Sequence, residues 1–237
     1  MRAERGTVPG LFSLISAEER EEFERRGRVA RFPRGSRLLQ EGEDGDRVIV
    51  LLSGRAKVTC TSADGREVVL DFRGPGELVG DLSVIDRRPR SSSVEALEPV
   101  EALVLAATDL RALISSHPGI AMGVLETLVG RFREADLKRL EFAASDTVGR
   151  VAARLVELAE RYGRPEADGI EIALAISQDE LAGWTAASRA GVTGALRTLR
   201  ELGWVETRRR GFTVRDLDAL RARATVQNWM EQTGSGG

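Results

Sequence analysis

Between residues 29 and 105 the chain alternates short apolar or β-branched segments with turns rich in glycine, proline and aspartate. Many short segments with such boundaries are typical of strands, and together they predict a β-sandwich or a roll. A short charged helix over residues 16–26 precedes them, because Ser16 and Glu19 form a capping box and Gly27 is a suitable end. The predicted strands are residues 29–32, 37–40, 48–52, 56–61, 67–72, 93–97 and 100–105.

After residue 105 the apolar positions recur every three or four residues, which indicates helices. A short helix is predicted from Thr108, as its cap, to Ser115, and a long helix follows from Pro118 to about Phe142. The long helix is either a core helix within one subunit or a coiled-coil seam between two subunits. Its length, polar flanks and position after the strands favour dimerisation through one apolar face. The apolar positions are Ile120, Val124, Leu125, Leu128, Val129, Phe132, Leu137 and Leu140.

The last third of the chain carries a second pattern of short helices. A capping box over residues 177–180 opens a helix over residues 178–183, and Ser188 caps a second helix that runs to about Leu202. Two short helices joined by a tight turn, followed by a hairpin with a basic tip at residues 208–210, indicate a winged helix-turn-helix. The other predicted elements here are an amphipathic helical segment that starts at Ser145-Asp146 and ends near Gly163, a linker over 164–169 and a strand over 170–176.

Charge supports a nucleic-acid partner only locally. The whole chain has a net charge of −2 and a pI near 5.7, which does not indicate nucleic-acid binding. From Arg189 to Arg223, however, nine arginines stand against four acidic residues, and phosphate binding requires such an excess. A helix-turn-helix also serves protein–protein contacts, and arginines at a hairpin tip can be a solvated turn. The capped helix that begins with Arg189 favours DNA binding.

Composition disfavours several classes of function. Cys60 is the single cysteine and His117 the single histidine, so we expect no disulfide framework, no cysteine-ligated cluster and no metal. We also expect no enzyme, because the chain has no P-loop and no nucleophile–histidine arrangement beyond His117. No apolar run reaches the roughly 18 residues that span a membrane, and the N-terminus lacks a signal-peptide core. We expect a cytoplasmic protein without a membrane partner.

One stretch within the strand region, residues 76–93, carries the chemistry of a phosphate site. Gly80 permits a tight turn and a close backbone approach, and Asp81 can accept hydrogen bonds from a ribose hydroxyl. Arg90 and Ser91 follow a short helical segment, and a guanidinium, a hydroxyl and free N–H groups at a helix start can hold a phosphate. Similar turns occur in many β-proteins, so this stretch alone leaves both interpretations open.

The spacing resembles the phosphate-binding cassette of the cyclic AMP receptor (catabolite activator)/FNR family of bacterial transcription regulators. That cassette runs Gly-Glu-Leu, several residues, then Arg-Ser or Arg-Thr, and Gly80, Asp81, Leu82, Arg90 and Ser91 fill those places. The resemblance extends to Arg223, with roll, cassette, long helix, hinge and winged helix in the family's order. Its most diagnostic part is Gln-Asp-Glu-Leu-Ala, followed by Ser-Arg and later by Leu-Gly-Trp.

The resemblance implies an α+β fold with three parts: a double-stranded β-roll sensor over residues 1–117, a dimerisation helix and hinge over 118–144, and a winged helix-turn-helix over 145–237. It also implies a homodimer that binds a palindromic site in double-stranded DNA, acts with RNA polymerase, and takes cyclic AMP or another cyclic nucleotide as its ligand. The ligand-binding candidates are Gly80, Asp81, Leu82, Arg90, Ser91, Ser92, Arg131, Ala135 and Asp136. The DNA-binding candidates are Gln178, Ser188, Arg189, Ala190, Thr193, Gly194, Arg197, Arg208, Arg209 and Arg210.

Several positions depart from the family pattern. Ala190 replaces a glutamate and Gly194 a basic residue, so two of the three side chains that read bases are missing. Ala135 stands where the family has a purine-contacting threonine, and Asp81 is shorter than the family's glutamate. We therefore expect cyclic AMP to bind weakly or not to be the physiological ligand. The alternative to a DNA-binding regulator is a cyclic-nucleotide-binding module that acts through protein partners.

Overall fold

The computed structural model describes residues 9–63, 65, 67–172, 174, 176–208 and 211–224. The chain forms two compact units, divided between Phe132 and Arg133. This division falls inside the long helix, and the domain boundaries drawn from the sequence remain a prediction.

Over this part of the chain the helices are α1 (Leu11–Leu14), α2 (Ala17–Arg26), α3 (Asp81–Asp86), α4 (Ala107–Ser116), α5 (Pro118–Ala144), α6 (Thr147–Tyr162), α7 (Gln178–Thr185), α8 (Arg189–Glu201) and α9 (Leu217–Ala224). The strands are β1 (Arg28–Phe32), β2 (Arg37–Leu39), β3 (Arg47–Ser53), β4 (Ala56–Thr61), β5 (Glu67–Arg73), β6 (Leu78–Val79), β7 (Ser93–Ala96), β8 (Val100–Ala106), β9 (Arg164–Glu166), β10 (Gly169–Ile172), β11 (Val205–Arg208) and β12 (Gly211–Val214).

The first unit contains a roll of two four-stranded antiparallel sheets, ordered β1-β8-β3-β6 and β2-β7-β4-β5. Val50 of β3 pairs with Leu103 of β8, and Val58 of β4 pairs with Val94 of β7. Because the chain passes repeatedly from one sheet to the other, the predicted sandwich or roll is confirmed. The seven predicted strands are β1–β5, β7 and β8. The pattern missed β6, since two residues carry no periodicity.

Strand β3 is buried on both faces, which explains its unbroken apolar run. Ile49 and Leu51 belong to a core between the two sheets, whereas Val48 and Val50 face a second core formed with the helices. The alternation follows from the two-residue repeat of a strand. Phe23 of α2 is fully buried in that second core.

Helix α5 has two apolar faces in the first unit, so the prediction of one apolar face was wrong. Ile120 and Val124 are buried in the core beneath the helices, and Leu128 packs against that core. These positions are four residues apart and share one side of a helix. The roll covers that side only. The apolar side chains of α5 that are more than half exposed in this unit are Met122, Leu125, Val129 and Phe132.

The second unit has the predicted winged helix-turn-helix. Helices α7 and α8 follow α6, and the sheet β11-β12-β10-β9 forms the wing. Val192, Leu196 and Leu199 are buried, as the apolar stripe of α8 predicts. The same stripe leaves the opposite side of α8 exposed.

Three local predictions were wrong. The predicted linker over residues 164–169 contains β9, which pairs with β10, and two described residues of the predicted strand over 170–176, Leu174 and Ile176, lie outside β10. Thr108 does not cap α4, because the helix begins at Ala107. The N–H of Ala107 donates a hydrogen bond of 2.8 Å to the carbonyl oxygen of Asp46. The first backbone N–H of α4 is therefore satisfied by a residue distant in sequence rather than by a side-chain cap.

Candidate functional site

Gly80 connects β6 to α3 and has a φ of +83°. A Cβ atom at this position would lie 2.7 Å from Nη1 of Arg90 and 2.8 Å from Cδ1 of Leu39. Glycine is therefore required by the left-handed backbone and by the guanidinium that lies against its Cα. The Gly80 turn and Arg90 lie side by side. The sequence placed them in one stretch, and the structure adds the distance between them.

Arg90 is 4% exposed and is held from several sides. Its Nη2 donates to Oδ1 of Asp46 at 3.1 Å and to the carbonyl oxygen of Arg47 at 2.9 Å, and its Nη1 donates to Oγ of Ser83 at 3.3 Å. Its Nε is buried and has no hydrogen-bond partner among the described residues. A buried N–H without an acceptor is unfavourable by about 1–3 kcal/mol, so an oxygen of a bound anion would relieve it.

Asp81 is 2% exposed and forms an ion pair with Arg131 of α5. Nη1 of Arg131 lies 3.1 and 3.0 Å from the two carboxylate oxygens, and its Nη2 donates to the carbonyl oxygen of Leu78. The long helix is thereby joined to the start of the cassette. Asp81 thus has an internal cationic partner, which the sequence interpretation as a ribose acceptor did not include.

The other ligand-binding candidates have different environments. Leu82 is 50% exposed, Ser91 is exposed and Ser92 is half-buried. Ala135 and Asp136 lie in the part of α5 that belongs to the second unit, where Oδ1 of Asp136 accepts from Nη1 of Arg139 at 2.9 Å. Their role toward a ligand stays a prediction.

The helix-turn-helix is shaped by two capped helices and one left-handed residue. Ser177 and Glu180 form the predicted capping box of α7, and Oγ of Ser188 accepts from the N–H of Gly191 at the start of α8. Ala186 ends α7 with a φ of +46°, which turns the chain toward α8. The capping signals were readable from the sequence, whereas a left-handed alanine was not.

The exposed side of α8 carries the predicted DNA contacts. Arg189 and Arg197 are exposed, and Oγ1 of Thr193 donates to Oε1 of Gln178 at 3.0 Å. Nε of Arg189 lies 3.5 Å from Oδ1 of Asp179, with both side chains about two-thirds exposed. Ala190 is exposed, and a Cβ at Gly194 would meet no atom within 4 Å among the described residues. Ala190 and Gly194 therefore offer no side-chain hydrogen-bond donor or acceptor on this face, and its charged groups are Arg189 and Arg197.

The wing contains arginines that already have acidic partners. Nη2 of Arg208 lies 3.0 Å from Oε2 of Glu166, and Nη2 of Arg215 lies 2.8 Å from Oε2 of Glu206. The hydrogen bond from Arg215 lowers the pKa of Glu206 below its ordinary value. The predicted contacts at Arg209 and Arg210 lie outside the described residues.

Sequence reasoning missed Asp46 and Ser83, both of which hold Arg90. Asp46 is 44 residues away from Arg90 along the chain, so no local spacing could indicate it. Ser83 follows Gly80 by three residues and donates 3.1 Å to the carbonyl oxygen of Gly80. Because this contact is local in sequence, the three-residue spacing could have indicated that Ser83 belongs to the site.

No group of three or more histidine, cysteine or acidic side chains in the described ranges is placed to hold a metal ion. Over the same ranges, no single helix is long and apolar enough to cross a membrane. Only α4 and α5 taken together, bent by 112°, pass that test of length and composition.

Comparisons with known proteins agree with this geometry. A family model of the cyclic nucleotide-binding domain matches residues 29–117, and a model of the Crp-like helix-turn-helix domain matches residues 149–223. A CRP-like cAMP-activated global transcriptional regulator of Mycobacterium tuberculosis is 34% identical over 193 residues, which cover 81% of this chain and 86% of that protein. A cyclic AMP receptor protein of Thermus thermophilus is 33% identical over 174 residues, or 73% and 77% of the two chains.

Solved structures share the fold. The c-di-GMP responsive global regulator of Xanthomonas campestris superposes with a TM-score of 0.75 at 22% identity, over 85% of this chain and 100% of that chain. A CRP-family transcriptional regulator from Thermus thermophilus gives a TM-score of 0.71 at 25% identity, over 82% and 96% of the two chains. At 22% identity the first of these supports the fold alone.

Proposed function

This chain belongs to the CRP/FNR family of transcription regulators, and from that premise we propose that it is a homodimer whose DNA binding is controlled by a phosphate-bearing ligand in the roll. The observation that carries the ligand proposal is the buried Nε of Arg90, which has no acceptor among the described residues. The family assignment makes a DNA-binding regulator the function, in preference to a module that acts only through protein partners.

The phosphate is proposed to bind at Arg90. Asp46, Ser83 and the carbonyl oxygen of Arg47 hold the two terminal nitrogens of the guanidinium. These contacts fix the side chain before a ligand arrives, which reduces the entropy lost on binding. A charge-assisted hydrogen bond from Nε to a phosphate oxygen completes the set.

The ribose and base are proposed to bind less well than in cyclic AMP-activated relatives. A ribose hydroxyl that reaches Asp81 must share a carboxylate that already accepts from Arg131. Ala135 offers no hydroxyl to a purine, and the loss of one such hydrogen bond weakens binding by about 1–3 kcal/mol. Cyclic AMP is therefore a weak ligand, or another phosphate-bearing ligand is the physiological one.

Dimerisation is proposed through the exposed apolar face of α5. Met122, Leu125, Val129 and Phe132 lie at spacings of three and four residues and are each more than half exposed. Apolar residues at this spacing form helix–helix seams. The dimer presents two copies of α8 to a palindromic site in double-stranded DNA, and acts with RNA polymerase in the cytoplasm.

Calorimetry tests the ligand proposal with cyclic AMP, cyclic GMP and cyclic di-GMP as probes. We expect at least one of them to bind, and we expect Arg90→Ala to abolish that binding. The exposed Arg88 provides the matched control, because Arg88→Ala removes the same charge from the same loop and should retain binding. If none of the three binds while DNA binding is intact, the cassette serves only as scaffold and the ligand proposal is wrong.

A further inference from the structure

The last turns of α5 are joined to α6 by buried charges. Arg154 of α6 is 4% exposed and Glu141 of α5 is 7% exposed, and Nη2 of Arg154 donates to Oε2 of Glu141. Nη1 of Arg154 lies 2.8 Å from Oε2 of Glu157, and Oε1 of Glu157 lies 3.5 Å from Nζ of Lys138. Glu141, Arg154, Glu157 and Lys138 thus form a connected row of side chains with alternating negative and positive charge.

Trp184 connects this cluster to α7. Its ring is 4% exposed, and its centroid lies 5.6 Å from Nζ of Lys138 and 5.2 Å from Cζ of Arg154. Cations within about 6 Å of an indole face are attracted to it. Helices α5, α6 and α7 therefore meet at one ring. We name Lys138, Glu141, Arg154, Glu157 and Trp184 the α5 clamp.

The burial of these charges makes the contact specific in geometry. A guanidinium taken out of water is tolerated only where its partners are placed well, and Arg154 has carboxylates from two helices. Charge-assisted hydrogen bonds weaken steeply with distance and angle, so these contacts favour one geometry. The clamp therefore defines one orientation of the α5 end on the helix-turn-helix.

The backbone alone does not define that orientation. Only Ser145 and Asp146 separate α5 from α6, and rotation about the φ and ψ bonds of these two residues would redirect α6. Arg150 of α6 adds two hydrogen bonds to neighbouring segments. Its Nη1 donates to the carbonyl oxygen of Ser145 at 2.8 Å, and its Nε donates to the carbonyl oxygen of Thr185, the last residue of α7, at 2.8 Å. Side chains rather than chain connectivity fix the helix-turn-helix on the end of α5.

We propose that the α5 clamp positions each helix-turn-helix so that both heads of the dimer engage the two halves of a palindrome together. The inference rests on the proposed dimer and its palindromic site. A helix-turn-helix that can rotate on the end of α5 still binds one half-site. When both half-sites are occupied, however, the two helix-turn-helix parts must give up this orientational freedom. That loss lowers the effective concentration of the second head.

The test measures two affinities of the full-length protein by fluorescence anisotropy. One duplex carries a palindrome selected by the wild-type protein from random sequences, and the other has one half scrambled. For Glu141→Gln and Arg154→Met we expect the ratio of half-site Kd to palindrome Kd to fall roughly tenfold, while half-site Kd stays near the wild-type value. Arg139→Gln is the control, because it removes an exposed ion pair of α5, and it should leave the ratio unchanged.

Each other outcome has a defined meaning. If a variant weakens both duplexes equally, the clamp supports folding only and the inference is wrong; an unchanged ratio also overturns it. Should either variant fail to fold, Arg154→Lys keeps a buried cation and is expected to give an intermediate ratio with near-native half-site binding. If the wild-type protein does not prefer the palindrome over the half-site, the proposed dimeric binding to a palindrome is wrong. This result is obtained before any variant is compared, so it is distinguished from a failure of the clamp inference.

Discussion

Both carboxylate oxygens of Asp146 lie 2.6 Å from Nη2 of Arg223, so the first cap of α6 also holds α9. Oδ1 of Asp146 accepts from the N–H of Gly149 at 2.8 Å. A Cβ atom at Gly149 would lie 2.9 Å from Nη1 of Arg223, so a larger residue here would displace the end of that arginine side chain. The start of α6 is thus fastened to the last helix that the structure describes.

Acid should weaken this contact between α6 and α9. The hydrogen bond from Gly149 is the main cause that lowers the pKa of Asp146, and Arg223 adds to it. Because the folded pKa lies below the ordinary value of 3.8, the stabilisation is fully present above that pH and is lost as the pH falls through the folded pKa. Asp146→Asn keeps a cap acceptor but loses the ion pair. We expect it to be less stable than the wild-type protein at pH 7, with a difference that shrinks below about pH 4.

Urea unfolding followed by tryptophan fluorescence provides the measurement for this variant. Trp184 and Trp204 lie among the described residues of the second unit, so their fluorescence reports on that unit. Asp146→Ala loses the cap as well and should be less stable than Asp146→Asn by about 1 kcal/mol. A difference between wild-type protein and Asp146→Asn that is the same at pH 3 and pH 7 would contradict the assignment.

Charges on the exposed face of α5 should separate the subunits. Leu125→Glu and Phe132→Glu place carboxylates where an apolar seam is proposed, and desolvating them in a dimer is costly. Light scattering should therefore show monomers that retain the native circular dichroism spectrum. Leu128 is unsuitable for this test because it packs against the core of the first unit.

The matched control for the dimer interface is Leu202→Glu, which alters an equally exposed leucine in the second unit. It should remain dimeric. A doubly substituted α5 variant that is folded and still dimeric would rule out this seam.

Arg189 and Arg208 should differ in how they contribute to DNA binding. Arg189 begins α8 on a face where Ala190 and Gly194 offer no polar side chain to a base, so Arg189→Ala should relax base preference and weaken the selected site by about 1–3 kcal/mol. Arg208→Ala should weaken all sequences evenly and reduce the salt slope by about one. Titrations of selected and scrambled duplexes at several salt concentrations separate these effects. Identical behaviour of the two variants would show that Arg189 binds phosphate.

Restoring a hydroxyl to the long helix should strengthen cyclic AMP binding. Ala135→Thr supplies a donor for the purine edge, and we expect roughly a tenfold gain in affinity by calorimetry. Ala135→Val has the same shape without the hydroxyl and is the matched control. If cyclic AMP already binds below micromolar Kd and Ala135→Thr changes nothing, the base contact at this position does not matter.

The order of elements was readable from the sequence because strands, helices and caps are local. The apolar run of β3, the capping box at Ser177 and Glu180, and the stripe of α8 each depend on residues within a few positions of one another. Those signals predicted the roll, the long helix and the winged helix-turn-helix. They also placed Gly80 and Arg90 in one stretch, since the family cassette is itself continuous in sequence.

Only the tertiary structure decided which groups meet across the chain. Asp46 binds Arg90 and Arg131 binds Asp81 over sequence separations of 44 and 50 residues, and no periodicity links such positions. The same holds for α5, whose apolar residues divide between the roll and solvent because packing, not composition, selects the buried side. Glu141 and Arg154 are 13 residues apart in the sequence, and they form a buried pair because α5 and α6 bring them together.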